Sequence, residues 1–227
     1  DHQPGAKRID ILLSHLHIDH IQGLGFFKAL FEPGMDVHIW GPVSSSQTLH
    51  TRLSRYLSPP LFPVLIRDLP CKLTLHEIAN SKFSIGPFKI QSGYVIHPGP
   101  TVGFRVGNGK SVFTYIPDHE PALGEKGIIP DKRWISGYDL AAGADLLLHD
   151  AQYTATEYLS KKGWGHSSIN DAALFASLAS AKHVLFAHHD PFHSDAQLND
   201  MFTVFKNENP YPFKNELAKE GMLINLD

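Results

Sequence analysis

The sequence has little cysteine and no long hydrophobic run, and each absence excludes classes of protein. Among its 227 residues Cys71 is the one cysteine, so an internal disulfide, a cysteine-rich zinc finger and an iron–sulfur cluster are all excluded. The apolar runs fall far short of the ~20 residues that a membrane-spanning helix needs. No signal-peptide pattern is visible either. We therefore expect a cytoplasmic protein without a membrane partner.

Positive charge is not in excess, whereas histidine is abundant. The 20 Lys and Arg residues against 23 Asp and Glu give a formal net charge of −3. Such a chain is a poor electrostatic match for a nucleic-acid backbone, and we expect no extended nucleic-acid-binding surface. The chain contains 15 histidines, which makes metal-ligating motifs the first thing to look for.

Hydrophobic periodicity divides the chain into a β-rich first half and a β/α second half. The first part predicts strands over residues 8–14 and 37–40, a helical pattern over 21–31, and a helix to residue 57 that is capped within 44–46. Further β-type runs are predicted over 73–77, 83–85, 88–95, 101–106 and 111–115. Strands over 145–150, 183–188 and 222–226 then alternate with helices over 167–181 and 194–206. This order favours an α/β (α+β) layered sandwich with helices outside two sheets.

The strongest chemical signal is the segment Ser14-His-Leu-His-Ile-Asp-His20, directly after the first predicted strand. His15, His17 and Asp19 share one parity, so in extended backbone they project to the same side. His20 lies where a helix is predicted to begin. Three imidazoles and one carboxylate within six residues are a donor set that suits zinc. Apolar residues alternate with these donors, which argues against a chance polar loop.

Further candidates follow later in the chain, each at a predicted strand end. His97 lies in Ile-His-Pro-Gly, Asp118 in Tyr-Ile-Pro-Asp-His, and His188 and His189 in Leu-Phe-Ala-His-His-Asp-Pro. Alone, each is a weak signal, since histidines and aspartates are common in turns. Strand alternation places His188 and His189 on opposite faces, so only one of them need be a ligand.

Taken in order, these motifs resemble the metallo-β-lactamase superfamily, whose four-layer αββα fold holds a two-metal site. The resemblance implies two divalent metal ions, with Zn²⁺ expected and Mn²⁺ or iron as alternatives, and attack by a metal-bridging hydroxide. The family register selects His188 rather than His189. The implied ligands are His15, His17 and His97 on one metal, Asp19, His20 and His188 on the second, and Asp118 between them.

A second pair of motifs resembles the ribonuclease Z and phosphodiesterase branch of this superfamily. His166 lies in Gly-His-Ser-Ser, and Asp150 ends a predicted strand. The resemblance implies that His166 protonates the leaving alkoxide while Asp150 orients the ring and favours its charged form. The candidate catalytic residues are therefore Asp19, Asp150 and His166. The competing interpretation makes His166 a neighbour of a helix N-cap and Asp150 a turn former.

Only 21 positions separate His97 from Asp118, too few for the long basic arm with which tRNA-processing members grip tRNA. The interval resembles that of small cyclic phosphodiesterases, which implies a small or cyclic phosphodiester substrate. A lactone or β-lactam hydrolase and a non-catalytic metal-binding sensor are the alternatives.

We expect one hydrolase domain over residues 1–227. The family places one or two strands before its first histidine motif. Those strands are then missing from this chain, or another chain covers the exposed sheet edge, as in a homodimer.

Overall fold

The computed structural model describes residues 5–124, 127–208 and 210–226. Contacts divide the chain into two compact units, residues 1–79 and 80–227, each with its own sheet and core. The single domain over 1–227 stays a prediction. Within the described residues, no helix is both long enough and apolar enough to cross a membrane.

The first unit is built on a three-stranded parallel sheet in the order β1-β2-β3. Its strands are β1 (Arg8–Leu12), β2 (Asp36–Pro42) and β3 (Lys72–Ile78). Alternation gives β2 one apolar face, on which Val37 and Ile39 are buried. The strands predicted over 8–14, 37–40 and 73–77 are confirmed.

The helices of the first unit differ from the prediction in two places. The pattern over 21–31 forms a short helix α1 (Ile18–Ile21) followed by two 3₁₀ turns, Gln22–Phe26 and Lys28–Phe31. Glycines disfavour a continuous α-helix here, and Gly25 also lets the Phe62 ring approach to a distance that a Cβ atom would block. Helix α2 (Leu49–Tyr56) is capped by Thr48, which accepts a hydrogen bond from Thr51 N at 3.1 Å, and not within 44–46.

The second unit contains a seven-stranded mixed sheet in the order β10-β9-β8-β7-β6-β5-β4. Its strands are β4 (Ser81–Ile85), β5 (Phe88–Tyr94), β6 (Val102–Gly107), β7 (Val112–Ile116), β8 (Leu146–Asp150), β9 (His183–Ala187) and β10 (Lys214–Leu217). Strands β4 to β7 pair antiparallel, and β7 to β10 pair parallel. Strands β5, β7, β8 and β9 therefore run in one direction, and their carboxyl ends meet at one edge.

Helices pack against this sheet through small side chains. The helices of the unit are α3 (Tyr138–Ala141), α4 (Ala155–Tyr158), α5 (Ile169–Leu178) and α6 (Asp195–Glu208). In α5, Ala172, Ala173 and Ala176 are fully buried, which lets the helix lie close on β8 and β9.

The last predicted strand is wrong. Residues 222–226 form no strand, and the edge strand is β10, which pairs with β9 in the register Lys214↔His183. Charged residues are typical of edge strands because they oppose pairing with other chains. Because β10 is polar, hydropathy favoured the apolar run over residues 222–226 as the last strand, although it is β10 that pairs with β9.

Candidate functional site

In the first unit, the histidine motif follows β1 and brings three imidazoles together. The ring centre of His15 lies 4.4 Å from that of His17 and 4.3 Å from that of His20. His15 is buried, and its Nδ1 lies 3.1 Å from Ser14 Oγ. Asp19 Oδ2 lies 3.2 Å from His20 Nε2.

The backbone reaches this arrangement differently from the prediction. It is extended through His17 (φ −66°, ψ 153°), and helix α1 then begins at Ile18. The shared strand parity therefore applies to His15 and His17, whereas Asp19 lies in the first turn of a helix. His20 lies inside α1 rather than at its start. All four candidate ligands of this motif nevertheless stay at the carboxyl end of β1.

In the second unit, candidate residues cluster where parallel strands end. His97, Asp118, Asp150 and His188 lie at or just after the carboxyl ends of β5, β7, β8 and β9. Since these ends meet at one edge of the sheet, distant parts of the chain converge there. Asp118 Oδ2 lies 3.2 Å from His188 Nε2 and 3.7 Å from His97 Nε2.

Gly165 fixes the orientation of the His97 ring. Its carbonyl oxygen lies 2.8 Å from His97 Nδ1 and accepts a hydrogen bond from it. With Nδ1 protonated, the lone pair of His97 lies on Nε2, the nitrogen that faces Asp118. This is the arrangement usual for a metal-ligating histidine, whose other ring nitrogen donates to a carbonyl or carboxylate.

The structure separates His188 from its neighbour His189. His188 has a φ of +56°, which is uncommon for a residue with a side chain and ends the regular alternation of β9. His188 faces Asp118, whereas His189 lines a cavity of about 420 Å³ beside α6. Burial lowers the pKa of His189. This placement supports His188 as the ligand of the pair.

Asp150 is a fully buried carboxylate that accepts hydrogen bonds from His166 and from the backbone around it. Its Oδ2 accepts from His166 Nδ1 at 2.6 Å and from His119 N at 3.1 Å. Its Oδ1 accepts from Gln152 N and Ser167 N, both at 3.1 Å. The His166 ring is thereby held on one nitrogen.

The His166 ring packs between two candidate ligands. Its centre lies 5.0 Å from that of His188, with the planes stacked, and 4.8 Å from that of His97. The interpretation of His166 as a mere helix-cap neighbour does not explain this packing. Ser168, two residues after His166, caps helix α5 and accepts from Asp171 N at 3.0 Å.

A second pair of histidines lies beneath this edge. His119 Nδ1 lies 2.8 Å from His149 Nε2, and His149 Nδ1 donates to the carbonyl of Asp150 at 2.7 Å. Both rings contact Phe175. Burial lowers the pKa of His149 to about 4 and that of His119 well below its ordinary value, so both are neutral at pH 7.

Sequence reasoning missed Glu120 and His149. Glu120 is buried and accepts hydrogen bonds from the loop that carries His166. The available signal was the run Asp118-His119-Glu120, three ionisable residues in a row directly after an apolar strand.

The donor chemistry fits divalent metal ions. Within the second unit, two groups of three donor residues have their ligand atoms within 4.8 Å of one another. Imidazole nitrogen and carboxylate oxygen are ligands of zinc, iron and manganese. These two groups are His97, Asp118 and His166, and Asp150, His166 and His188.

Comparison with curated proteins finds ribonuclease Z sequences. One, from Porphyromonas gingivalis, is 28% identical over 247 residues, covering 88% of this chain and 78% of that protein. Another, from Myxococcus xanthus, is 24% identical over 249 residues, covering 95% of this chain and 80% of that protein.

Comparison with known structures finds the same fold at low identity. The metallo-β-lactamase fold protein YhfI from Bacillus subtilis has a TM-score of 0.64 and 20% identity, covering 94% of this chain and 75% of that one. The short form of human tRNase Z has a TM-score of 0.63 and 21% identity, covering 96% and 79%. A diphosphatase of the PhnP family has a TM-score of 0.62 and 19% identity, covering 96% and 71%.

The family match covers most of the chain. Residues 2–189 match the family described as the beta-lactamase superfamily domain, and the fold of this family implies divalent metal ions. The predicted metallo-β-lactamase fold and the predicted class of metal-dependent hydrolase are confirmed. The chain belongs to the beta-lactamase superfamily domain family, and its curated relatives are named ribonuclease Z.

Proposed function

We propose that this protein is a binuclear metal-dependent phosphodiesterase that acts on a small or cyclic phosphodiester. The observation that carries the proposal is the His166–Asp150 pair. The 2.6 Å contact between His166 Nδ1 and Asp150 Oδ2 holds an imidazole against two candidate metal ligands. A lactone or β-lactam hydrolase has less need of such a group, because its leaving group is not a phosphate-bound alkoxide.

The proposed ligands are those that the family resemblance implies. They are His15, His17 and His97 for one ion, Asp19, His20 and His188 for the other, and Asp118 for both. When bound, two divalent cations supply a water of lowered pKa and a Lewis acid for the phosphoryl oxygen. Zn²⁺ is the proposed metal, because imidazole and carboxylate donors suit it.

His166 acts in this proposal as the general acid. As the bond between phosphorus and the leaving oxygen breaks, that oxygen takes the proton from His166 Nε2. Asp150 holds Nδ1, so the ring keeps one orientation and its positive charge is stabilised before transfer. Asp150 is itself fixed by three backbone N–H donors, so the pair needs little rearrangement during the reaction.

The small size of the proposed substrate is supported by the connection between His97 and Asp118. In this interval β6 and β7 are joined by a tight turn, in which Asn108 Oδ1 accepts from Lys110 N and Ser111 N, both at 2.9 Å. The interval thus holds two short strands and no long arm. The ribonuclease Z relatives favour RNA as the second candidate substrate.

A substrate panel on one metal-analysed preparation tests these proposals. We expect turnover of bis-p-nitrophenyl phosphate and of a cyclic nucleotide, loss of turnover with a chelator, and about two metal ions per chain. Cleavage of a precursor tRNA alone would favour the RNA candidate. Activity confined to lactones or β-lactams would contradict the phosphodiesterase proposal, and less than one metal per chain would favour a non-catalytic module. Light scattering on the same sample tests the predicted homodimer.

A further inference from the structure

Glu120 is a buried carboxylate, 1% exposed, that the proposed mechanism does not use. Its oxygens accept hydrogen bonds from Gly163 N at 2.9 and 3.0 Å, from Gly165 N at 2.9 Å and from the Tyr158 hydroxyl at 2.6 Å. Burial and the bond to Glu120 raise the pKa of Tyr158, so its hydroxyl stays a donor. All of these donors lie between the end of α4 and His166. One side chain therefore holds the 158–165 segment at both of its ends, through Tyr158, Gly163 and Gly165.

The held segment reaches His97 through Gly165. Gly165 has a φ of +86°, and a Cβ atom there would lie 2.6 Å from His97 Nδ1, so only glycine fits. Its N–H donates to Glu120, while its carbonyl accepts from His97 Nδ1 at 2.8 Å. Glu120 is also bonded to the residue before His97, because its own backbone N–H donates to Ile96 O at 3.0 Å.

The segment also leads directly into His166. The residue after Gly165 is His166, whose ring lies 4.8 Å from that of His97 and whose Nδ1 is held by Asp150. A displacement of Gly165 would therefore change the orientation of one proposed metal ligand and of the proposed acid together.

We propose that Glu120 is a positioning residue that holds the 158–165 segment and thereby orients His97 for metal binding and His166 for proton transfer. The inference rests on the proposed function. Donors from three residues of the segment converge on this one buried carboxyl group. Without the carboxylate, the N–H of buried Gly165 loses its acceptor, and a buried unpaired donor forces the backbone to move toward another one.

The first test measures structure and metal binding in the metal-loaded protein. In Glu120→Ala we expect hydrogen exchange at the Gly163 and Gly165 amides to rise at least ~10-fold, because these amides lose their acceptor. Zinc affinity, measured by chelator competition, should fall ~10–100-fold, as for other groups that orient a ligand. Glu120→Gln should restore most of both, because its amide oxygen still accepts from Gly165.

Asp145 provides the matched control, because it is another carboxylate that accepts a backbone N–H, from Val112 at 2.8 Å. Asp145→Ala should leave the exchange of both glycine amides and the zinc affinity unchanged.

The second test separates positioning from a general loss of stability. At saturating zinc, Glu120→Ala should lower kcat more for an alkyl leaving group than for p-nitrophenolate, with little change in KM. If the effect passes through His166, the double variant Glu120→Ala/His166→Ala should be within about twofold of His166→Ala alone, since coupled residues are not additive. Additive losses would mean that Glu120 does not act through His166.

The remaining outcomes are decisive as well. Unchanged exchange and zinc affinity in Glu120→Ala overturn the inference, as do loosened amides with wild-type zinc affinity and kcat. If the wild-type protein hydrolyses no phosphodiester, the proposed function fails, and the exchange and zinc measurements still decide the role of Glu120 toward His97. If Glu120→Ala does not fold, Glu120→Gln and Tyr158→Phe should show smaller effects of the same kind.

Discussion

Two histidine clusters, one on the sheet of each unit, use their ring nitrogens differently. In the first unit His38 Nδ1 lies 2.8 Å from His76 Nε2, and Trp40 stacks on His76 with ring centres 3.7 Å apart. The nearby carboxylates are also engaged, since Asp10 accepts from Trp40 Nε1 and Asp36 lies 3.3 Å from His38 Nε2.

In the second unit, two rings of the cluster are each held on Nδ1. His97 donates to a carbonyl and His166 contacts a carboxylate, whereas Asp118 lies near the Nε2 atoms of His97 and His188. In the first cluster two imidazoles bond to each other, whereas in the second a carbonyl and a carboxylate bond the Nδ1 atoms, which is the arrangement usual for metal-ligating histidines. The partner of each ring nitrogen therefore distinguishes the two clusters.

The largest expected effect comes from the carboxylate at the centre of the second cluster. Asp118→Asn should lower phosphodiester turnover by at least ~10³-fold, equivalent to ~4 kcal/mol, and reduce bound metal, because a neutral amide is a poorer metal ligand. Asp10→Asn, in the first cluster, should change neither measurement more than about twofold. Elemental analysis and initial rates on both variants check this. Retained metal and rate in Asp118→Asn would place the centre elsewhere.

The next largest effect separates the acid from the ligands. His166→Ala should lower kcat by ~10²–10⁴-fold, the contribution of a positioned general acid, with metal content unchanged. The loss should be larger for an alkyl than for a p-nitrophenyl ester, because p-nitrophenolate leaves without protonation. His76→Ala is the control from the first cluster and should keep the wild-type kcat. A full rate in His166→Ala would show that another group supplies the proton.

Most strands of the fold could be predicted from the sequence, because hydrophobic periodicity reports local burial. Strands β1 to β9 show apolar runs or alternation, and the ligand motifs lie at their ends. The edge strand β10 is polar and could not be found that way. The positive φ of His188 likewise has no local sequence signal.

The supporting bonds of the site depend on contacts between distant residues. Gly165 lies 68 positions from His97, and Glu120 lies 45 positions from Gly165. The sequence therefore predicts candidate residues for the chemistry, while their orientation depends on the folded sheet.

A smaller effect compares how the buried His149 of the second unit and the partly buried His76 of the first unit respond to acid. Burial lowers the pKa of His149 to about 4, below the ~6.5 of an unfolded histidine, so the unfolded chain takes up a proton first as pH falls. Stability from the neutral ring is complete above about pH 6.5 and decreases toward pH 4, by roughly 3 kcal/mol.

Urea unfolding at pH 7 and pH 4.5, with chelator present so that metal release does not contribute, should show this loss. It should be reduced in His149→Gln, because the variant does not titrate there. His76→Gln should change the pH dependence much less, because His76 is only partly buried. Equal slopes in wild type and His149→Gln would mean that the ring is not held neutral.

The smallest effect concerns the stack in the first cluster. His76→Phe keeps a flat ring against Trp40 but removes the hydrogen bond to His38, so the free energy of unfolding should fall by only ~0.5–1.5 kcal/mol. Metal content and kcat should stay at the wild-type values, because the replaced nitrogen bonds to His38 within its own cluster. Urea unfolding at pH 7 together with metal analysis checks both. A loss of metal in His76→Phe would contradict the assignment of a structural role to this cluster.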